Sequence, residues 1–404
     1  MTKAYIIRFA AILLLVSSLG VAAYATYQSS ENADKNIVFS DRTLLAGLWD
    51  NYKKVYWEES TGRTLDKQQN DITTSEGQSY TMLRAVWQSD RQTFDKAWSW
   101  TKEHLGRSDD ALFSWRWGQK PDGSYGVLTN QGGQNAATDA DSDIALALVM
   151  AASKWQEQSY LNQAQVIIKD IWRNEVVLVK GVPYLVANDL EKRSQSAAII
   201  NPSYFSPYAY RIFAKVDPAN DWNALVDSSY NLLDKSIDNK LDKSRSAGLV
   251  PDWIAIDKQT GEITAVNNAP NLTTNYGYDA MRTPFRIALD YKWNNEPRAK
   301  QTLEKMSFLK QQWDKKQKIV STYSHDGMVV KDEEVAEAYA TSLGYFMITN
   351  PSLADEIYDK KLRPLYDQDT NSWANDMTYY GDNWAWFGIA LYDDKLDNLA
   401  ADIR

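Results

Sequence analysis

Apolar residues recur at helical spacing through almost the whole of this 404-residue chain, and no Pro-, Gly- or Ser-rich linker interrupts them after residue 39. The periodicity predicts twelve helices, over about 40–56, 75–88, 90–105, 139–155, 158–177, 203–216, 218–236, 278–292, 296–314, 333–348, 351–365 and 380–393. They fall into pairs joined by loops of uneven length, the longest around 106–135, 180–200 and 240–275. Val176–Val179 and Glu262–Val266 have the β-branched character of short strands. One domain, residues 38–404, follows. Twelve paired helices with long loops fit an all-α (α/α)6 barrel, six helical hairpins closed into a toroid, with a few short strands in its loops. An open solenoid of helix pairs gives a similar pattern, but no repeat of about 34–40 residues supports one.

Residues 1–37 read differently. Lys3 and Arg8 precede an uncharged stretch from Phe9 to Ser30, whose apolar part runs from Phe9 to Ala25. Its length lies on the border between a signal-peptide core and a membrane span. Ala23-Tyr24-Ala25 supplies a small-x-small site for cleavage after Ala25. Retained, the segment is an N-terminal anchor with the bulk of the chain outside, as the positive flank requires. Both readings place the domain outside the cytoplasm, extracellular or at the cell surface.

The chemistry open to the chain is narrow. It has no cysteine and only two histidines, His104 and His325, so acid–base work falls to carboxylates. A net charge of −9 argues against a surface that tracks nucleic-acid phosphates. The 16 Trp, 24 Tyr and 10 Phe exceed what a core needs, leaving aromatics for recognition. Carboxylates flanked by Trp and Tyr are the equipment for protonating a glycosidic oxygen and stacking sugar rings.

Two acidic segments stand out. Thr73-Thr74-Ser75-Glu76 reads as a capping box with Thr73 as N-cap. Gly77 in the first turn weakens that reading, since a glycine there costs stability unless something approaches closely, and a substrate ring is the candidate. Asp139, Asp141 and Asp143 stand where a buried helix begins, so one of them serves its positive end. Their D-x-D-x-D spacing is not a calcium loop, because Ile144 and Met150 replace the required Gly and Glu. Asp279 and Arg282 share one helix face, with Tyr276, Tyr278, Pro284 and Phe285 around them and Arg286 a turn further. Trp98 and Trp100 fit a helical core. Trp115 and Trp117 stand in a Gly/Asp-rich loop and read as sugar-ring platforms, whereas His325 reads as a turn residue.

These segments together resemble glycoside hydrolase family 8, which includes bacterial endoglucanases. Ala137–Ala151, continuing to Trp155, resembles the family signature; Ser75–Tyr80 resembles its S-E-G-x-S-Y segment and Tyr278–Arg286 its D-A-x-R-x-P-x-R helix. Asn201–Phe205, Gly248–Trp253 and Tyr379–Trp384 look like further family segments, so the likeness covers nearly all of residues 40–395. Thr81, Ala140 and Phe285 depart from usual Gly, Gly and Trp. The resemblance implies an inverting, endo-acting enzyme, foremost an endo-β-1,4-glucanase, with Glu76 as general acid and Asp279 as general base. It implies that Asp139 holds the sugar at the cleavage point, that Tyr204 and Arg282 position water and base, and that Tyr380 lines the cleft. No metal or organic cofactor is required, the partner is a β-linked polysaccharide, and the protein is expected to be a monomer. Mixed-linkage glucan, chitosan and xylan stay open as substrates. A catalytically silent glycan-binding subunit of a polysaccharide-export assembly stays open as the non-enzymatic reading.

Overall fold

The computed structural model describes residues 42–242, 244–267 and 269–403. The leader or anchor read in residues 1–37 lies outside them, and among the described residues no helix is long and apolar enough to cross a membrane. Fourteen α-helices are present there: α1 (Arg42–Tyr56), α2 (Ser75–Trp87), α3 (Arg91–His104), α4 (Thr138–Trp155), α5 (Gln158–Glu175), α6 (Asp189–Arg193), α7 (Pro207–Val216), α8 (Trp222–Asp238), α9 (Thr283–Asn294), α10 (Pro297–Lys305), α11 (Phe308–Lys316), α12 (Ala336–Thr349), α13 (Pro351–Ile357) and α14 (Tyr379–Tyr392). Short antiparallel strands lie in the loops, including Val176–Val179 and Ile263–Thr264 where sequence placed them.

Two kinds of helix build two layers. In α4 every residue from Thr138 to Ala152 is buried, the mark of a helix surrounded on all sides. In α5 the buried apolar positions are Tyr160, Ala164, Ile167, Ile168 and Ile171, one stripe at helical spacing. Accordingly α2, α4, α7, α9, α12 and α14 form an inner ring in which each packs on the next and α14 returns to α2. The outer helices α1, α3, α5, α8, α10 and α13 lie against α14, α2, α4, α7, α9 and α12 respectively. The ring is closed, which helix counting alone does not establish. The architecture is an (α/α)6 barrel.

Polar ties lock the ring. Trp384 on α14 donates to Tyr80 Oη on α2 at 3.1 Å, and Arg84 bonds Asp382 at 2.8 Å with both side chains buried. Arg286 on α9 forks onto both oxygens of Asp143 on α4, at 3.0 and 2.8 Å. Buried pairs of this kind fix geometry more than they add stability. Gly388 lets α14 approach so closely that a Cβ there would collide with the Ala340 carbonyl on α12.

Departures from the periodicity occur where proline or a tight turn intervenes. Pro202 and Pro207 break the expected 203–216 helix into a 3-10 turn, Pro202–Tyr204, followed by α7. A second 3-10 turn, Ala280–Arg282, precedes α9, with Pro284 in its first turn. The expected 296–314 helix is two, α10 and α11. The expected 351–365 helix ends early at Ile357 and continues as a π turn, Tyr358–Leu362, and a 3-10 turn, Arg363–Leu365.

Candidate active site

The inner helices present their N-terminal ends at one mouth of the barrel, and the singled-out carboxylates meet there. Thr74, rather than Thr73, caps α2, its Oγ1 accepting from Gly77 N–H at 3.0 Å. Glu76 therefore takes no part in a capping box. Its Oε1 accepts from Tyr379 Oη at 2.9 Å and its Oε2 from Arg282 Nη1 at 3.1 Å. Gly77 is explained by the same tyrosine: a Cβ there would meet the Tyr379 ring at 3.2 Å. A close approach is indeed what the glycine serves, but a side chain of α14 fills the space assigned above to a substrate ring.

Arg282 organises the group. The same Nη1 reaches Asp139 Oδ2 at 3.1 Å, Nη2 reaches Asp279 Oδ1 at 2.5 Å, and Nε and Nη2 reach Ser203 Oγ at 3.1 and 2.8 Å. Its guanidinium lies over the Tyr204 ring, 5.1 Å from the centroid. One buried cation thus gathers Glu76, Asp139 and Asp279 from three helix starts, with Tyr204 against its face. The side chains of Glu76 and Asp279 retain 23% and 30% exposure, whereas Asp139 keeps 3%. Loss of solvent around Glu76, reinforced by the charge of Asp139, pushes its carboxyl up to about 7. Burial likewise raises Asp139.

The other two aspartates of the triplet turn inward. Asp141 accepts from Phe113 N–H at 3.1 Å, and Asp143 holds Arg286. Beside Asp279 a groove of about 830 Å³ continues along Tyr278, Tyr379 and Tyr380. Tyr380 lines it as expected and donates its hydroxyl to the Tyr278 carbonyl.

The family model of glycosyl hydrolases family 8 matches residues 18–393. The chain belongs to this family. Among curated relatives, the family 8 chain is 31% identical over 288 residues to Endoglucanase 2 of Ruminiclostridium josui, covering 69% of this chain and 55% of that one. It is 28% identical over 340 residues to Endoglucanase A of Acetivibrio thermocellus, covering 82% and 61%. The match thus spans little more than half the length of these relatives. The crystal structure of an endo-1,4-D-glucanase from Vibrio fischeri ES114 superimposes with a TM-score of 0.71 at 26% identity, over 86% of this chain and 95% of that one. A β-1,3-1,4-glucanase from Paenibacillus sp. X4 shares the fold, with a TM-score of 0.72 at 23% identity over 87% and 92%.

Two aromatics of the family 8 chain stand apart from the carboxylates. The Trp115 carbonyl accepts from Ser75 N–H at 3.1 Å, which sets the loop beside the start of α2. Arg116 covers the Trp115 ring, however, and Trp117 packs against Arg63, Trp100 and Tyr125. Neither tryptophan lines the groove beside Asp279. In that stack Tyr125 is the exposed ring, at 58%. His325 occupies a turn, as expected, but its ring is buried and bonded to the Ser236 carbonyl.

Sequence reasoning passed over two groups that hold the centre. Tyr379 stood in a quoted segment without a role. Asp252, in the quoted Gly248–Trp253 segment, accepts from Gly277 and Ala280 N–H at 3.1 and 2.7 Å and so fixes the turn that carries Asp279. Burial, with the charge of Asp279 added, raises Asp252 to about 7.

Proposed function

We propose that this chain is an inverting, endo-acting β-glycanase whose foremost substrate is β-1,4-linked glucan. The observation that carries the reading is the convergence of Glu76, Asp139 and Asp279 on one guanidinium, with Glu76 raised to about 7 yet partly open to solvent and Asp279 lining the groove. A carboxyl raised to neutrality still holds a proton when substrate arrives, which suits a general acid.

In this reading Glu76 gives its proton to the glycosidic oxygen as the bond to the anomeric carbon breaks. A water on the opposite face of the ring adds its oxygen to that carbon and loses a proton to Asp279, so the anomeric configuration inverts. Arg282 and Tyr204 position Asp279 and the water, and Asp139 holds the ring under attack. Export to the cell surface or beyond is part of the proposal, on the strength of Phe9–Ala25.

Incubating the protein with carboxymethylcellulose, lichenan, chitosan and xylan, and sizing the products, tests it. The expected result is fastest cleavage of carboxymethylcellulose, with an early mixture of oligosaccharide lengths. Faster cleavage of another polymer would reassign the substrate, and binding without cleavage would favour a glycan-binding role.

A further inference from the structure

Five of the six inner helices bring a group already placed in the site to the mouth: Glu76 on α2, Asp139 on α4, Tyr204 ahead of α7, Asp279 ahead of α9, and Tyr380 on α14. The sixth, α12, opens with Glu337 in its first turn. Glu337 is 7% exposed and lines the same groove as Asp279, Tyr278 and Tyr380. Gly381 makes room for it, since a Cβ there would come within 3.1 Å of the Glu337 carboxylate.

Among the described residues that carboxylate has no counter-charge. Among the described residues its hydrogen-bonding partner is its own backbone N–H, and the charge that acts on it is another acid, Glu333. The cations of the groove are engaged elsewhere, Lys361 with Glu334 and Lys360 with Glu356, each at 2.6 Å. The start of α12 and the residue's own N–H offset part of the cost of burying an acid, but a carboxylate enclosed with so few donors stays unfavourable. Donors must come from the groove. Sugar hydroxyls supply them in adjacent pairs, and a carboxylate offers two oxygens, each able to accept.

The groove's place in the site says which sugar. Its walls include Tyr379 and Asp279 but not Asp139, the residue assigned to the ring under attack. It therefore takes the ring on the other side of the scissile bond. Resting on the proposed function, we propose that Glu337 binds hydroxyls of the leaving-group sugar beside Tyr380 and so makes the enzyme select a sugar in that position.

The test compares cellopentaose, which places a sugar there, with 4-nitrophenyl cellotetraoside, which places an aryl group lacking hydroxyls. For Glu337→Gln and Glu337→Ala, the kcat/KM ratio of cellopentaose to the aryl substrate should fall by about tenfold or more relative to wild type, as expected when a charged hydrogen bond to substrate is lost. Gly381→Ala, which crowds the same carboxylate without removing it, should move the ratio in the same direction. A purely structural role for Glu337 lowers both values together. An unchanged ratio in folded variants, checked by thermal melting, overturns the proposal. Failure of the wild type on both substrates overturns the functional reading, and this one with it.

Discussion

Tyr379, the first residue of the last inner helix, hydrogen bonds through Oη to Glu76 Oε1 at 2.9 Å, joining positions 303 residues apart. A donor to the carboxylate favours its ionised form, whereas burial and the charge of Asp139 favour the protonated one, and the latter prevail at about 7. The raised value places the alkaline limb of kcat/KM near pH 7, because the acid must carry its proton and loses it as pH climbs through that value. Tyr379→Phe removes the donor and should move the limb to higher pH. A limb that stays put or moves down, read from the pH–rate profile, would show that the tyrosine does not act on Glu76.

Glu76→Gln should lower hydrolysis of unactivated glucan by about a thousandfold, the range for losing a general acid, with polysaccharide binding retained. Turnover near that of wild type, measured alongside binding to soluble glucan, would remove Glu76 from the mechanism.

Asp139→Asn deletes the charge that ranks next after burial in raising Glu76. The alkaline limb should shift to lower pH, opposite to Tyr379→Phe. Turnover should also fall by about a hundredfold, since hydrogen bonds to the distorted ring strengthen in the transition state. A variant that melts early but works normally when folded would reduce Asp139 to a helix-terminus residue.

The order of the anomers checks inversion. NMR of fresh products from a β-linked glucan should show the α-anomer first. Initial β-anomer would mean that Asp279 is not a base for water.

A pair remote from the cleft governs a different pH range. Asp141 and Glu175 are both fully buried and interact with each other, and burial raises both well above the ordinary carboxylate range. Arg107, Asp110 and Asp189 are the charged groups facing them. The folded state therefore binds protons that the unfolded chain releases. Stability from this source is full below the ordinary carboxylate range and declines as pH rises toward the raised values. Glu175→Gln should flatten that decline, measured by urea denaturation between pH 5 and about 9. An undiminished slope would show that the pair holds no extra proton.

The sequence displayed the elements better than their meetings. All twelve helical segments were legible from spacing, as the unbroken apolar run Ile144–Ala152 in α4 and the apolar stripe of α5 illustrate. The break between α10 and α11 was not, since Glu304-Lys305-Met306-Ser307 contains neither glycine nor proline. Gly77 announced a close approach, but the spacing assigned it to a substrate ring, because the true neighbour, Tyr379, arrives from the far end of the chain. The Asp279–Arg282 pair was visible as an i,i+3 spacing; the reach of Arg282 to Glu76, 206 positions away, was not. Glu337 left no trace, as a single acid in the acidic run Asp332–Glu337 reads as a solvated surface until the fold buries it.

Ring closure has a consequence for when the chain becomes a catalyst. Glu76 stands on the first inner helix, while the tyrosine that bonds it and the tryptophan that bonds Tyr80 belong to α14, the last. A growing polypeptide can assemble five hairpins and still lack one wall of its cleft. The cleft is thus incomplete until α14 has been made, and the last inner helix to arrive finishes it.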